Sequence, residues 1–158
     1  MAEEKTNVMR ILDKAKVDYT AHQYPHGKEA VDGITVAKLL NLNPAQVFKT
    51  LVTKGTGKDY YVFVIPVEKE LNLKKAAKAV GEKSVEMIHV ADINKVTGYV
   101  RGGCSPIGMR KQFVTTFDES CLDLPTVIVS AGKIGYQIET AAKNLIILTN
   151  GQTADLVF

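Results

Sequence analysis

The chain has 158 residues, of which 46% are hydrophobic and 23% charged, and its 20 Lys+Arg against 17 Asp+Glu give a formal net charge of +3. These proportions suit one globular domain over residues 1–158 and exclude a disordered or low-complexity chain. No apolar run of about 18 residues marks a membrane span, the acidic start MAEEKTNVMR is no secretory signal, and Cys104 and Cys121 read as reduced thiols of a cytoplasmic protein rather than a disulfide framework.

In chain order, Val8, Met9, Ile11, Leu12 and Ala15 form an apolar stripe at helical spacing, so a helix is predicted over residues 7–16 with Thr6 as its N-cap. A short strand over 19–23 follows, then a loop over 27–33 and a short helix over 35–40. Asn43-Pro44 has the form of a cap and first helical position. Residues 47–54 and 60–66 are the clearest strands, and the turn Gly55-Thr56-Gly57-Lys58 makes them a hairpin. An amphipathic helix over 72–80 ends at Gly81. A weaker strand covers 85–88, and a short helix covers 92–97 before Gly98. Residues 113–117, 126–129 and 137–139 read as strands. Thr140 is the expected cap of a helix through Leu148, stopped by Asn150-Gly151, and 154–157 forms a last edge strand. Strands and helices mix without strict βαβ alternation, which predicts an α+β fold with a mixed, largely antiparallel sheet and surrounding helices.

Several chemistries lack textual support. There is no GxGxxG, P-loop or GxSxG pattern, so no nucleotide cofactor or hydrolase elbow is expected. His22, His26 and His89 show no metal-ligand spacing, so neither a metal nor another cofactor is expected. Cys104 lies in a glycine-rich loop as a candidate nucleophile, but nothing near it supplies a base. Cys121 follows Asp118-Glu119-Ser120, where nearby acids would raise its pKa.

Three segments hold more information. Lys49 shares one strand face with Val47 and Leu51, and lysine is rarely buried without a partner or a role. The alternative is an edge lysine reaching out to water. The run from Gly98 to Gly108 holds four glycines and Pro106, a backbone able to bring N–H groups close to a ligand oxygen or simply to connect two elements. Ser130-Ala131-Gly132-Lys133 makes a second small-residue turn. Around these, Lys95, Arg101, Arg110 and Lys111 form a stretch of four cations with no acid between them. It could meet phosphate, although a solvated surface is the simpler reading from charge alone.

Taken together, Val47-Phe48-Lys49-Thr50-Leu51, the loop through Gly102-Gly103-Cys104-Ser105-Pro106-Ile107-Gly108, Val129-Ser130-Ala131-Gly132-Lys133 and His22-Gln23-Tyr24 resemble the YbaK/EbsC family, in its Cys-tRNA(Pro) deacylase branch. The resemblance implies the fold of the prolyl-tRNA synthetase editing domain. It implies cleavage in trans of mischarged Cys-tRNA(Pro), assisted by the substrate's own thiol. It gives Lys49 the catalytic role and places Tyr24, Thr50, Gly102, Gly103, Cys104, Ser105, Pro106, Ser130, Gly132 and Gln137 around the aminoacyl ester, with the loop amides facing its carbonyl oxygen. It also implies prolyl-tRNA synthetase as the partner presenting the tRNA. Some family members carry an acidic residue near Gln137, where this chain has an amide. Two other readings stand beside this one: a water-based deacylase of Ala- or Ser-charged tRNA, and a non-catalytic module binding an aminoacyl ligand.

Overall fold

The computed structural model describes residues 5–25, 27 and 29–158. The acidic N-terminal residues, His26 with its spacing from His22, and part of the 27–33 loop lie outside them. The first helix, α1 (Asn7–Lys14), is capped as expected, with Thr6 Oγ1 accepting the Met9 N–H at 3.2 Å. It stops two residues early because the Val17 N–H turns back to the Leu12 carbonyl and Lys16 takes φ 57°. Strand β1 (Thr20–Gln23) leads to α2 (Gly33–Leu39). This helix starts earlier than the spacing predicts because Asp32 is its cap: Oδ1 accepts the Thr35 N–H at 2.9 Å and Oδ2 the Thr35 hydroxyl at 2.7 Å.

A 3-10 turn (Pro44–Gln46) feeds β2 (Phe48–Lys54), which folds back as a hairpin on β3 (Tyr60–Pro66). Asn72 caps α3 (Leu73–Val80), and Gly81 ends it in the left-handed region. The weak strand shrinks to β4 (Glu86–Met87), followed by α4 (Ile93–Thr97), β5 (Val114–Asp118), β6 (Val127–Ser130) and β7 (Tyr136–Thr140).

Two expectations near the C-terminus need correction. Thr140 closes β7 instead of capping a helix; its hydroxyl donates to the Asp18 carbonyl at 2.8 Å, and α5 (Ala142–Thr149) begins after Ala141 without a side-chain cap. The last strand is β8 (Gln152–Ala154), not 154–157. Leu156 instead leaves the sheet, fully buried, with its N–H donated to Asp118 Oδ1 at 3.0 Å.

The α+β class holds, but the strands form two sheets. One is antiparallel with order β1-β7-β6; the other is mixed with order β4-β2-β3-β5-β8. Within the second, β3–β5 and β5–β8 run parallel. Among the described residues, one parallel bridge, between Val47 and Ile128, links the backbones of the two sheets. Between them lies the main core, built on Val8, Leu12, Val62, Val64, Phe117, Val129, Ile138 and Leu145. The opposite face of the five-stranded sheet packs Phe63 and Ile65 on Ala76, Ala77 and Leu156. Each fully buried Phe contributes about 1.5–3 kcal/mol. Strand β4 pairs with β2 only at Thr53 and Lys54, so among the described residues the outer edge of β2 carries no strand partner from Lys49 to Leu51.

Candidate active site

A cavity of about 110 Å³ opens along that free edge, at the seam of the two sheets. Lys49 and Thr50 enter it from β2, Tyr24 from the end of β1, Ser130 from β6, Gln137 from β7, and Gly102 and Cys104 from the long loop. Seven of the proposed residues, far apart in sequence, therefore converge. Beyond Lys49, Gly33 and Gly102 the cavity widens into a groove of about 960 Å³, whose lining includes Glu29, Asp32, Val100 and Arg101.

Lys49 is half-buried and is the only charged side chain lining the inner cavity among the described residues. Burial pushes its ammonium below the usual lysine range, and Glu70 offsets only part of this. Beside it, Thr50 Oγ1 and Gln137 Oε1 are buried and have no hydrogen-bond partner among the described residues. Gln137 is 6% exposed. Leaving such atoms unsatisfied costs about 1–3 kcal/mol each, so a cavity holding two of them is shaped for a polar ligand. Tyr24 is fixed by its N–H, donated to the Gly135 carbonyl at 2.9 Å. Burial pushes the Cys104 thiol up to about 11, so it stays protonated near neutrality and is a poor nucleophile.

Four expected site residues frame the cavity without lining it. The Gly103 N–H is donated to the Val100 carbonyl at 3.0 Å and is therefore not available to a ligand. A Cβ on Gly103 would lie 3.1 Å from the Ile134 backbone nitrogen, so its smallness seats one turn on the other. Ser105 is fully buried, and its Oγ accepts the Ile107 N–H at 3.3 Å. Pro106 is buried behind it. Gly132 has φ +91° and lies against the Tyr99 ring. Tyr99 closes the loop by donating its hydroxyl to the Ile107 carbonyl at 2.6 Å. The N–H groups of Gly102 and Cys104 remain uncommitted among the described residues.

The spacing analysis missed Val31, Gly33, Val36 and Val67, which form the apolar wall. The Asp32–Thr35 cap was the available signal for this wall, because it sets where the chain turns into α2. A Cβ on Gly33 would run into Val67. Also missed was the network under the cavity. His22 Nε2 lies 2.7 Å from Glu139 Oε1, Thr126 donates to Glu139 Oε2 at 2.5 Å, and Gln46 donates to Thr126 at 2.7 Å. It joins β1, β7, β6 and the turn before β2, and His22 stands directly opposite Gln137. Burial pulls the Glu139 carboxyl up, but the Thr126 and His22 hydrogen bonds outweigh this and hold it below its usual value.

A small cavity with one cation and uncommitted hydrogen-bonding atoms, opening into a wider groove of mixed polarity, is shaped to take a small polar group. Residues 28–148 match the family described as the aminoacyl-tRNA editing domain. The chain belongs to this family. It is 46% identical over 154 residues, 98% of this chain and 94% of the relative, to a protein of Enterococcus faecalis named as a candidate Cys-tRNA(Pro)/Cys-tRNA(Cys) deacylase, EbsC. It is 28% identical over 106 residues to the proline–tRNA ligase of Lactobacillus helveticus, matching 67% of this chain but 19% of that ligase. Among solved structures, a candidate trans-editing enzyme for prolyl-tRNA synthetase superposes with a TM-score of 0.82 at 23% identity, covering 99% of each chain. That likeness concerns the fold.

Proposed function

We propose that this chain is a single-domain aminoacyl-tRNA deacylase that releases cysteine from Cys-tRNA(Pro) in trans, in the service of translation fidelity in the cytoplasm. The observation that carries this reading is the placement of Lys49 beside Thr50 Oγ1 and Gln137 Oε1 in a cavity sized for a small aminoacyl group.

In this reading the aminoacyl ester lies in the inner cavity and the terminal nucleoside in the groove. The Lys49 ammonium and the N–H groups of Gly102 and Cys104 stabilise the carbonyl oxygen as charge grows on it. Loss of one such donor costs about 2.7–4 kcal/mol in comparable sites. The attacking group is the substrate's thiolate. Its sulfur bonds to the carbonyl carbon, the ester C–O bond breaks, and the thiol proton ends on the leaving ribose oxygen. The four-membered thiolactone so formed is opened by water to cysteine. Orientation of an intramolecular attack contributes up to about 7–11 kcal/mol. A thiol requirement also rejects alanine and proline, whereas pocket shape alone separates small side chains by about 1–3 kcal/mol. Sequence kinship to a segment of a proline–tRNA ligase supports prolyl-tRNA synthetase as the protein that presents the tRNA.

The test is turnover of tRNA charged with cysteine, alanine, serine or proline by the native protein and by Lys49→Ala. Cys-tRNA is cleaved selectively, and Lys49→Ala lowers its turnover by roughly a hundredfold or more. Near-native rates in the variant remove Lys49 from the mechanism. Equal rates on cysteine and alanine remove the thiol.

A further inference from the structure

We infer that a strip of cations running from the groove mouth to the far end of the five-stranded sheet is the docking surface for the RNA backbone of the substrate. This inference rests on the reading above that an RNA-borne ester enters the cavity. The strip starts at Arg101, which lines the groove together with Glu29 and Asp32.

From Arg101 the chain arches back so that the Arg110 N–H meets the Thr97 carbonyl at 3.0 Å. The Arg110 side chain lies across Gly98, where a Cβ would stand 3.0 Å from its Cγ. Lys111 follows and borders a cleft of about 250 Å³ shared with Lys58, Tyr60 and Phe113. The two rings meet edge to face at 5.8 Å, offering an apolar surface to ribose or base, and among the described residues Asp59 is the one carboxylate lining the cleft.

All four cations are exposed, and among the described residues none of them has a carboxylate partner. Lys49 and the end of β2 beside this cleft are five residues apart, about 17 Å of extended strand. Surface cations with no charge to balance inside the protein are free to release counterions from phosphate, which makes binding salt-dependent.

The experiment measures affinity for uncharged tRNA across a salt series, for native protein, for Arg110→Gln/Lys111→Gln, and for Lys74→Gln/Lys78→Gln on the exposed side of α3. Turnover of a minimal ester, cysteinyl-adenosine, is followed in parallel, and melting temperatures check folding. With each phosphate contact adding roughly 0.7–0.9 to the log–log slope, the Arg110/Lys111 pair lowers it by roughly 1.4–1.8. The α3 pair leaves it near native, and minimal-ester turnover stays within about twofold in both. An unchanged slope in Arg110→Gln/Lys111→Gln overturns the strip. So does an equal loss in the α3 pair, which would make net charge the cause. Salt-dependent binding through the strip, with no ester cleaved by native protein, upholds the strip and defeats the proposed function.

Discussion

Lys49 sits where lost solvation works against its charge. Burial disfavours the ammonium, and Glu70 restores only part of the loss, so its folded pKa lies below the 10.5 of free lysine. Between the folded and unfolded values the unfolded chain binds more protons, so this residue's contribution to stability rises with pH. Activity that requires the ammonium moves the other way and falls through the same window. The substrate thiol, with an ordinary pKa of about 8.5, supplies the rising limb. The pH profile of kcat/KM on Cys-tRNA is therefore a bell whose alkaline side falls below pH 10.5. Arginine, always charged, removes that falling side in Lys49→Arg. An alkaline limb unchanged by Lys49→Arg, or an Nζ resonance titrating at or above the free-lysine value, would separate Lys49 from the chemistry. Cys104 cannot substitute for the substrate thiol, because a thiol held near 11 is almost wholly protonated at neutral pH.

At the scale of elements, the site depends on how the long loop sits against the segment before α2. Gly102 has φ +85°, and a Cβ there would stand 2.7 Å from Ala30 Cβ and 3.0 Å from its Cα. Gly81 has a similar φ of +74° with nothing within 4 Å. The pair separates backbone strain from packing. Gly81→Ala loses about 1–2 kcal/mol from left-handed strain and keeps full activity. Gly102→Ala loses more and displaces the groove wall, raising KM at least about tenfold, since a misplaced wall costs 1.4 kcal/mol or more of binding. Urea denaturation with steady-state kinetics reads both, and native KM in Gly102→Ala would mean that the loop is no part of the wall. The same comparison shows what was legible in the sequence. The β2–β3 hairpin and α3 announce themselves because their signals are local: a Gly-Thr-Gly turn, an Asn72 cap, a Gly81 stop. The start of α5 and the position of β8 were misread because distant partners decide them. The Thr140 hydroxyl is drawn to Asp18, and the Leu156 N–H to Asp118.

For the whole molecule, the split into two sheets had no local signal at all, since it depends on which strands leave β2 uncovered. Convergence of Tyr24, Lys49, Gly102, Ser130 and Gln137 was legible only through family resemblance; alternation in the 47–52 strand pointed to Lys49 alone. The main core holds the two sheets together, and beside the cavity the link is smaller. One backbone bridge, Val47 to Ile128, and a small cluster with Ala37 and Val67 join the sheets beside the cavity. A ligand filling the cavity touches β2 of one sheet and β6 and β7 of the other, so it adds a tie between them at the cavity. An inert, amide-linked cysteinyl-adenosine analogue at a hundred times its Kd stabilises the folded state by about 2.7 kcal/mol. For a chain of this length that raises Tm by roughly 5–11 °C. Hydrogen exchange should slow at the seam on both sides, in β2 and in β7, because opening either sheet releases the ligand. Lys49→Ala, lacking the cation, should show a smaller rise at the same concentration. A full rise in that variant, or protection confined to one sheet, would place the ligand elsewhere than across the seam.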